Sequence, residues 1–173
     1  MAYVMFHSKR WVEGNVPKNK RKSEKRQSLR EIEKYLRNSI TYMGAVFVKS
    51  FKKLLVKAEK YSLIVYCDFH WFCVYSTKKS FEIFDPLGFL QKSKCITNKF
   101  FTFLKSHTSG KTLFCNPKIQ SDSSKLCGFY SVFYIYMREL GHSFSTILSM
   151  FSKNFRKNDQ VIKRYIKKLK SRI

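Results

Sequence analysis

The stretch that decides the fold is HWFCVYSTKKSFEIFDPLG, residues 70–88. Two short runs of aromatic and β-branched residues, 69–75 and 80–84, lie on either side of the polar residues 77–79. This pattern is typical of a β-hairpin. The turn-forming residues 85–88 then end the second strand. The stretch therefore predicts a pair of adjacent antiparallel strands.

Helices are predicted on both sides of this hairpin. Ser28 and Glu31 form a capping box, which marks the start of the first helix. Residues 126–140 are apolar on nearly every face, which predicts a buried helix that ends at Gly141. The other predicted elements are strands at 62–66 and 112–115 and helices at 91–105, 145–151 and 159–170, whereas the pattern at 41–48 is ambiguous. Together they predict an α+β fold, with a small, mostly antiparallel sheet flanked by helices.

The charge of the chain is strongly unbalanced. Of 173 residues, 35 are basic and 11 acidic, for a formal net charge of +24. We expect one domain over residues 28–173, preceded by a basic arm over residues 1–27. The excess charge indicates a polyanionic partner, with nucleic acid the leading candidate because phosphate neutralisation releases counterions. An anionic membrane is the alternative, and the basic segments also fit nuclear-import signals. The candidate DNA contacts are Lys18, Lys20, Arg21 and Lys22 in the arm and Lys163, Arg164, Lys167 and Lys168 in the last predicted helix.

Cysteine usage and hydropathy indicate the compartment. The five cysteines are an odd number and form no closely spaced framework of the disulfide-rich kind. The first ten residues lack the apolar run of a signal peptide. The longest apolar stretch, residues 126–137, is too short to span a bilayer. These patterns predict a protein of a reducing compartment, the cytosol or nucleus, without a membrane partner.

Four residues in a set order carry the candidate chemistry: His70, Asp85, Gln120 and Cys127. A thiol peptidase needs a thiolate, a base that takes and returns a proton, a group that orients the base, and donors for the oxyanion. Cys127 opens the buried helix, where the positive end of the helix dipole stabilises a thiolate, and Gly128 leaves the adjacent backbone open. His70 and Asp85 lie on adjacent strands. Gln120 lies in a polar loop from which its amide can reach the same point.

The spacing Cys67-x-x-His70-x-x-Cys73 also offers the ligand types of a zinc site. In an extended strand, however, Cys67 and Cys73 face one way and His70 the other, and no fourth ligand is evident. We therefore expect no metal site. Asp68 is an alternative partner for His70, but side chains two residues apart on one strand run parallel rather than end to end.

The ordered set His70-Trp71, Phe84-Asp85-Pro86-Leu87-Gly88-Phe89, Gln120 and Cys127-Gly128-Phe129 resembles the adenain family, the adenovirus maturation proteases. That family carries His-Trp, Phe-Glu-Pro-Phe-Gly-Phe, Gln and Cys-Gly in the same order, and a weaker likeness spans residues 28–170. The related SUMO- and ubiquitin-like-protein proteases share His-Trp, an Asp, a Gln and Cys-Gly. The resemblance implies a papain-like, adenain-type cysteine endopeptidase. Its nucleophile would be Cys127, its base His70, its oxyanion donor Gln120, and its third triad member Asp85, accepting the imidazole Nδ1–H bond.

The resemblance further implies what the protein acts on and what activates it. No cofactor is required for the chemistry, but DNA and a short basic peptide would activate the enzyme. The peptide would act through a disulfide, for which Cys115 and Cys95 are the candidates. Substrates would be viral precursor proteins, cut after small residues such as Gly during virion maturation in the host nucleus or the virion, by a monomer. Two alternatives stay open: a SUMO-type protease of a ubiquitin-like modifier, and a non-enzymatic nucleic-acid-binding protein whose aromatic residues stack on bases.

Overall fold

A computed structural model describes residues 28–48, 58–67, 69–88 and 98–171. Within these ranges a run of strands is followed by a run of helices, as is typical of an α+β protein. In chain order the elements are α1 (Leu29–Leu36), β1 (Tyr42–Phe47), β2 (Tyr61–Cys67), β3 (His70–Ser76), β4 (Ser80–Phe84), α2 (Asn98–Thr108), β5 (Thr112–Cys115), α3 (Cys127–Glu139), α4 (Phe144–Ser149) and α5 (Phe155–Lys170). The α+β prediction is confirmed.

The five strands form one sheet in the order β1-β2-β3-β4-β5. The inner pairs β2–β3 and β3–β4 are antiparallel, whereas the outer pairs β1–β2 and β4–β5 are parallel. The prediction of a mostly antiparallel sheet is therefore wrong, because the sheet is mixed. The inner strands follow one another through tight turns, which allow antiparallel pairing. The outer strands are reached through long connections, and parallel pairing requires a crossover of this kind.

The predicted hairpin between β3 and β4 is confirmed in detail. The Thr77 N–H donates to the Ser80 carbonyl at 2.8 Å, and the Ser80 N–H donates to Thr77 Oγ1 at 2.9 Å. Cys73 pairs with Phe84 across the two strands. Since β4 ends at Phe84, the next residue leaves the sheet close to the start of β3.

Both faces of the sheet are covered. Alternate side chains of β3 point to opposite sides: Cys73 and Tyr75 lie in a core cluster with α1, α3 and α5, whereas Phe72 and Val74 lie in a second cluster with α2. Because β3 is buried on both faces, its sequence is apolar almost throughout. Helix α3 packs on β3 and is itself buried over most of its length. This packing places the first residue of α3 beside the sheet.

The helix ends agree with the sequence signals. Ser28 Oγ accepts a hydrogen bond from the Glu31 N–H at 3.2 Å, which confirms the cap of α1. Gly141 follows α3 with φ +91°, as expected of a glycine that ends a helix. The helix predicted at 91–105 is described from Asn98 to Thr108, and residues 91–97 lie outside the described residues. None of the described helices is both long and apolar enough to cross a bilayer.

Candidate active site

His70 begins β3 and is 3% exposed. Its partner across the hairpin is Cys67, the last residue of β2, so the chain reverses between the two. The prediction that Cys67 and Cys73 share one face opposite His70 is therefore wrong: Cys67 belongs to the α2 cluster and Cys73 to the α3 cluster. Among the described residues, no group of three His, Cys, Asp or Glu side chains is arranged to hold a metal ion.

Asp85 directly follows β4, and its carboxylate lies against the His70 ring. Asp85 Oδ1 is 2.6 Å from His70 Nε2, and both side chains are 4% exposed. The same oxygen accepts the Leu87 N–H at 3.1 Å, which fixes the carboxylate within its turn. The imidazole atom that faces the carboxylate is thus Nε2, and the predicted bond through Nδ1 is wrong. Asp68, the alternative partner, lies outside the described residues.

Asn116 holds the backbone of Asp85 and was not identified from the sequence. The Asp85 N–H donates to Asn116 Oδ1 at 2.6 Å, and Asn116 Nδ2 donates to the Asp85 carbonyl at 2.9 Å. Asn116 is 2% exposed and directly follows β5, whose last residue Cys115 pairs with Ile83 of β4. The Asn116 side chain therefore provides hydrogen bonds to the backbone of Asp85 just beyond the point where the β4–β5 backbone pairing ends. The sequence signal is an Asn between a strand and a proline, which by itself predicts only a turn.

Cys127 is the first residue of α3 and is 9% exposed. The preceding residue, Leu126, has no side-chain acceptor, so no side chain caps this helix terminus. Cys127 lies near enough to His70 to raise the pKa of the ring, as the Asp85 carboxylate also does. The structure thus brings Asp85, His70 and Cys127 into one neighbourhood, with the carboxylate on Nε2 of the imidazole.

The surroundings of His70 favour its charged form. Burial is the largest single influence and lowers the pKa of the ring, but the hydrogen bond to Asp85 and the proximity of Asp85 and Cys127 together outweigh it. They raise the pKa of His70 from its ordinary 6.5 to about 9. The surroundings thus hold the ring towards its protonated form at neutral pH, with the Asp85 carboxylate on Nε2.

Gln120, which the sequence placed in a polar loop, is fully buried. Its Nε2 donates to the Ser124 carbonyl at 2.9 Å, and its backbone N–H donates to the Pro86 carbonyl at 2.9 Å. The Pro86 bond ties the Gln120 segment to the turn that carries Asp85. Gly88 permits this approach, because a Cβ at its position would lie 3.2 Å from the Lys118 backbone nitrogen. Gln120 is therefore fixed relative to Asp85.

The buried side chain of Asn158, near the start of α5, secures the segment that leads into Gln120. Its Nδ2 donates to the carbonyls of Ile119 and Ser152, both at 2.8 Å, and its Oδ1 accepts the Ser152 N–H at 2.8 Å. One residue further on, Asp159 accepts a hydrogen bond from the Tyr130 hydroxyl of α3 at 2.9 Å. The N-terminal part of α5 is thus attached both to the Gln120 segment and to α3, the helix that begins at Cys127.

The candidate DNA contacts are divided between two parts of the chain. Lys163, Arg164, Lys167 and Lys168 are all exposed on α5, on the side away from the buried Ile162 and Ile166. The candidates of the arm, Lys18, Lys20, Arg21 and Lys22, lie outside the described residues, as does Cys95. Cys115 is exposed at the end of β5.

Neither a protein-family model nor a curated protein sequence matches the chain. Among solved structures, the ASFV pS273R protease is similar with a TM-score of 0.36 and 21% identity, over 54% of this chain and 38% of that one. The central domain of the uncharacterized Lpg1148 protein from Legionella pneumophila is similar with a TM-score of 0.43 and 13% identity, over 74% of this chain and 89% of that one. The chain thus corresponds to well under half the length of the ASFV protease. Similarities this weak carry no conclusion about function, and membership of the adenain family stays a prediction.

Proposed function

We propose that this protein is a cysteine peptidase with Cys127 as nucleophile, His70 as proton carrier and Asp85 as the group that orients His70. The observation that supports the proposal is the buried His70–Asp85 pair with the Cys127 thiol near enough to act on the pKa of the same imidazole. A structural ion pair would satisfy His70 and Asp85 alone. The third member is a thiol at the N-terminus of α3, and a thiol beside an imidazole–carboxylate pair is an arrangement suited to nucleophilic catalysis.

The proposed reaction begins with an imidazolium–thiolate pair. The Cys127 thiolate attacks the carbonyl carbon of a peptide bond and forms a tetrahedral intermediate, whose oxyanion accepts hydrogen bonds from the backbone N–H of Cys127 and from Gln120 Nε2. The C–N bond then breaks as His70 gives its proton to the leaving amine, and a thioester remains on Cys127. Neutral His70 next takes a proton from water while the oxygen attacks the thioester. Collapse releases the carboxylic acid product and restores the ion pair.

Gln120 can serve the oxyanion without losing its structural contact. A primary amide carries two N–H donors, and the bond to the Ser124 carbonyl uses one of them. A donor held in place before the reaction costs no reorganisation when the charge develops, which is why a fixed Gln120 suits this role better than a mobile one.

The proposal is tested with the purified full-length chain in reducing buffer and a library of fluorescence-quenched peptides. We expect hydrolysis that disappears in Cys127→Ala and His70→Ala, and an iodoacetamide label that mass spectrometry locates on Cys127. Cys115→Ser is the matched control, since Cys115 is the exposed thiol at the end of β5, and this variant should keep full activity. Hydrolysis that survives in purified Cys127→Ala would refute the proposal.

The finer proposal is a peptidase of viral precursor proteins that DNA stimulates. Four exposed basic side chains on α5 support the DNA part, because they offer a row of charges to a phosphate backbone: Lys163, Arg164, Lys167 and Lys168. Duplex DNA should raise the rate of peptide hydrolysis, and the increase should fall steeply with added salt. A rate that neither DNA nor salt affects contradicts this part and leaves the peptidase assignment intact. A Gly-Gly-linked ubiquitin-like modifier is tested as a second substrate. Its cleavage in preference to a viral-type peptide would support the SUMO-type alternative.

A further inference from the structure

The connection between β2 and β3 has an unusual residue at its second position. The last paired residues of this hairpin are Cys67 and His70, so the connection consists of two residues, Asp68 and Phe69. Two-residue hairpin connections strongly prefer Gly at positions with positive φ, as in Asp-Gly. Phe69 has φ +67° and is the only non-glycine residue with positive φ in the part of the chain that the structure describes. An aromatic side chain thus stands where turn geometry favours Gly.

Phe69 is also strongly exposed. Its side chain is 71% exposed, whereas the adjacent His70 is 3% exposed. Positive φ disfavours a bulky L-residue, and exposure of a large aromatic ring to water forgoes the gain of burial. Both features therefore work against folding stability at one position. Unfavourable conformations of this kind cluster at sites where a ligand uses them, and Phe69 directly precedes the imidazole of the candidate active site.

We propose that Phe69 is a substrate-contacting residue, which packs against an apolar side chain of the polypeptide substrate close to the scissile bond. This inference rests on the proposed peptidase function and names a specificity determinant for it. Adjacent Cα atoms are about 3.8 Å apart, so the Phe69 side chain is attached that close to the backbone of His70. An extended substrate advances about 3.3 Å per residue. An aromatic side chain attached at this distance is on the scale of one or two substrate residues, and these are the positions the proposal assigns to it.

The experiment compares Phe69→Gly, Phe69→Tyr and Leu140→Ala with the wild-type chain. Leu140 is the matched control, because it is 70% exposed but follows the far end of α3 from Cys127, about 20 Å away along a 13-residue helix. Hydrolysis is measured on quenched peptides that carry either Leu or Ser at each of the two positions on both sides of the scissile bond. Thermal unfolding of each variant is measured in parallel.

Phe69→Gly places at position 69 the residue that positive φ favours. We therefore expect the Tm of this variant to equal or exceed that of the wild type. Its kcat/KM should fall about tenfold on the best Leu peptide, mainly through KM, and much less on the corresponding Ser peptide. Phe69→Tyr should retain wild-type preference, because its ring is preserved. Leu140→Ala should match the wild type on every peptide.

Two results would overturn the inference alone. One is a Phe69→Gly variant with wild-type kcat/KM and an unchanged preference for Leu over Ser. The other is a Phe69→Gly variant whose Tm falls, because that would identify the ring as part of the folded core. A wild-type chain that hydrolyses none of the peptides overturns the peptidase function and this inference together.

Discussion

Replacing Asp85 with Asn removes the charge that lies 2.6 Å from His70 Nε2 and preserves the size of the side chain. In the folded protein Asp85 and Cys127 raise the pKa of His70 to about 9, against an ordinary value of 6.5, although burial lowers it. The folded state therefore binds this proton more tightly than the unfolded state. The resulting stabilisation is fully present below pH 6.5 and is lost as the pH rises towards 9.

The magnitude follows from the shift. A net rise from 6.5 to about 9 corresponds to about 3 kcal/mol, which remains after Asp85 and Cys127 have outweighed the opposing effect of burial. We therefore expect the wild type to exceed Asp85→Asn in free energy of unfolding by about 2 kcal/mol at pH 6, with a difference that closes towards pH 9.5. The backbone contacts of Asp85 with Asn116 survive this substitution, so they do not add to the difference.

The assay is urea unfolding in reducing buffer, followed by tryptophan fluorescence at a series of pH values. Asp122→Asn is the matched control: its carboxylate is 86% exposed and pairs with Lys118 at 2.6 Å. An exposed ion pair of this kind contributes at most about 1 kcal/mol to the free energy of unfolding. Its contribution should not vary with pH as steeply as that of Asp85. The reasoning is refuted if the difference in free energy of unfolding between the wild type and Asp85→Asn stays constant from pH 6 to pH 9.5. That result would show that Asp85 does not raise the pKa of His70.

The other predictions concern the remaining groups of the site and the basic face of α5. Cys127→Ala should abolish peptide hydrolysis and change the free energy of unfolding by less than about 1 kcal/mol, and a large loss of stability would point to a structural thiol. Gln120→Ala should lower kcat by about 10²-fold, measured per mole of thiol that iodoacetamide labels, and a wild-type kcat would remove the oxyanion assignment. Asn116→Ala should cost about 2 kcal/mol in urea unfolding, because it leaves the buried N–H and carbonyl of Asp85 without the amide; an unchanged midpoint would contradict this. Lys167→Glu combined with Lys168→Glu should weaken duplex binding and reduce its salt dependence, checked by fluorescence anisotropy, while equal slopes would locate the binding elsewhere.

The elements with local signals were predictable from the sequence. The turn at Thr77, the cap at Ser28 and the glycine after α3 each depend on residues within a few positions, so the β3–β4 hairpin, α1 and α3 follow from pattern alone. The adjacency of His70 and Asp85 follows from that hairpin. These signals are strong because a tight turn or a cap restricts the backbone of only a few residues.

The features that were not predicted depend on contacts between residues far apart in the sequence or on a turn residue of an unexpected type. The parallel pairing of β1 and β5 is set by crossover connections, whose direction no local pattern encodes. The clamp of Asn116 on Asp85 joins parts of the chain 31 residues apart. The reversal between Cys67 and His70 went unrecognised because Phe69 occupies the place of a turn glycine, and this error misassigned the faces of Cys67 and Cys73.

The reactive groups come from three separate elements, β3, the end of β4 and the start of α3, and α3 is synthesised after the other two. Before α3 packs on the sheet, the His70 imidazole and the Cys127 thiol lie apart and cannot exchange a proton. In the proposed peptidase, hydrolytic capacity would therefore arise with the tertiary structure and be lost when that structure opens. A nascent or damaged copy of such a peptidase would lack the assembled site without any separate inhibitor.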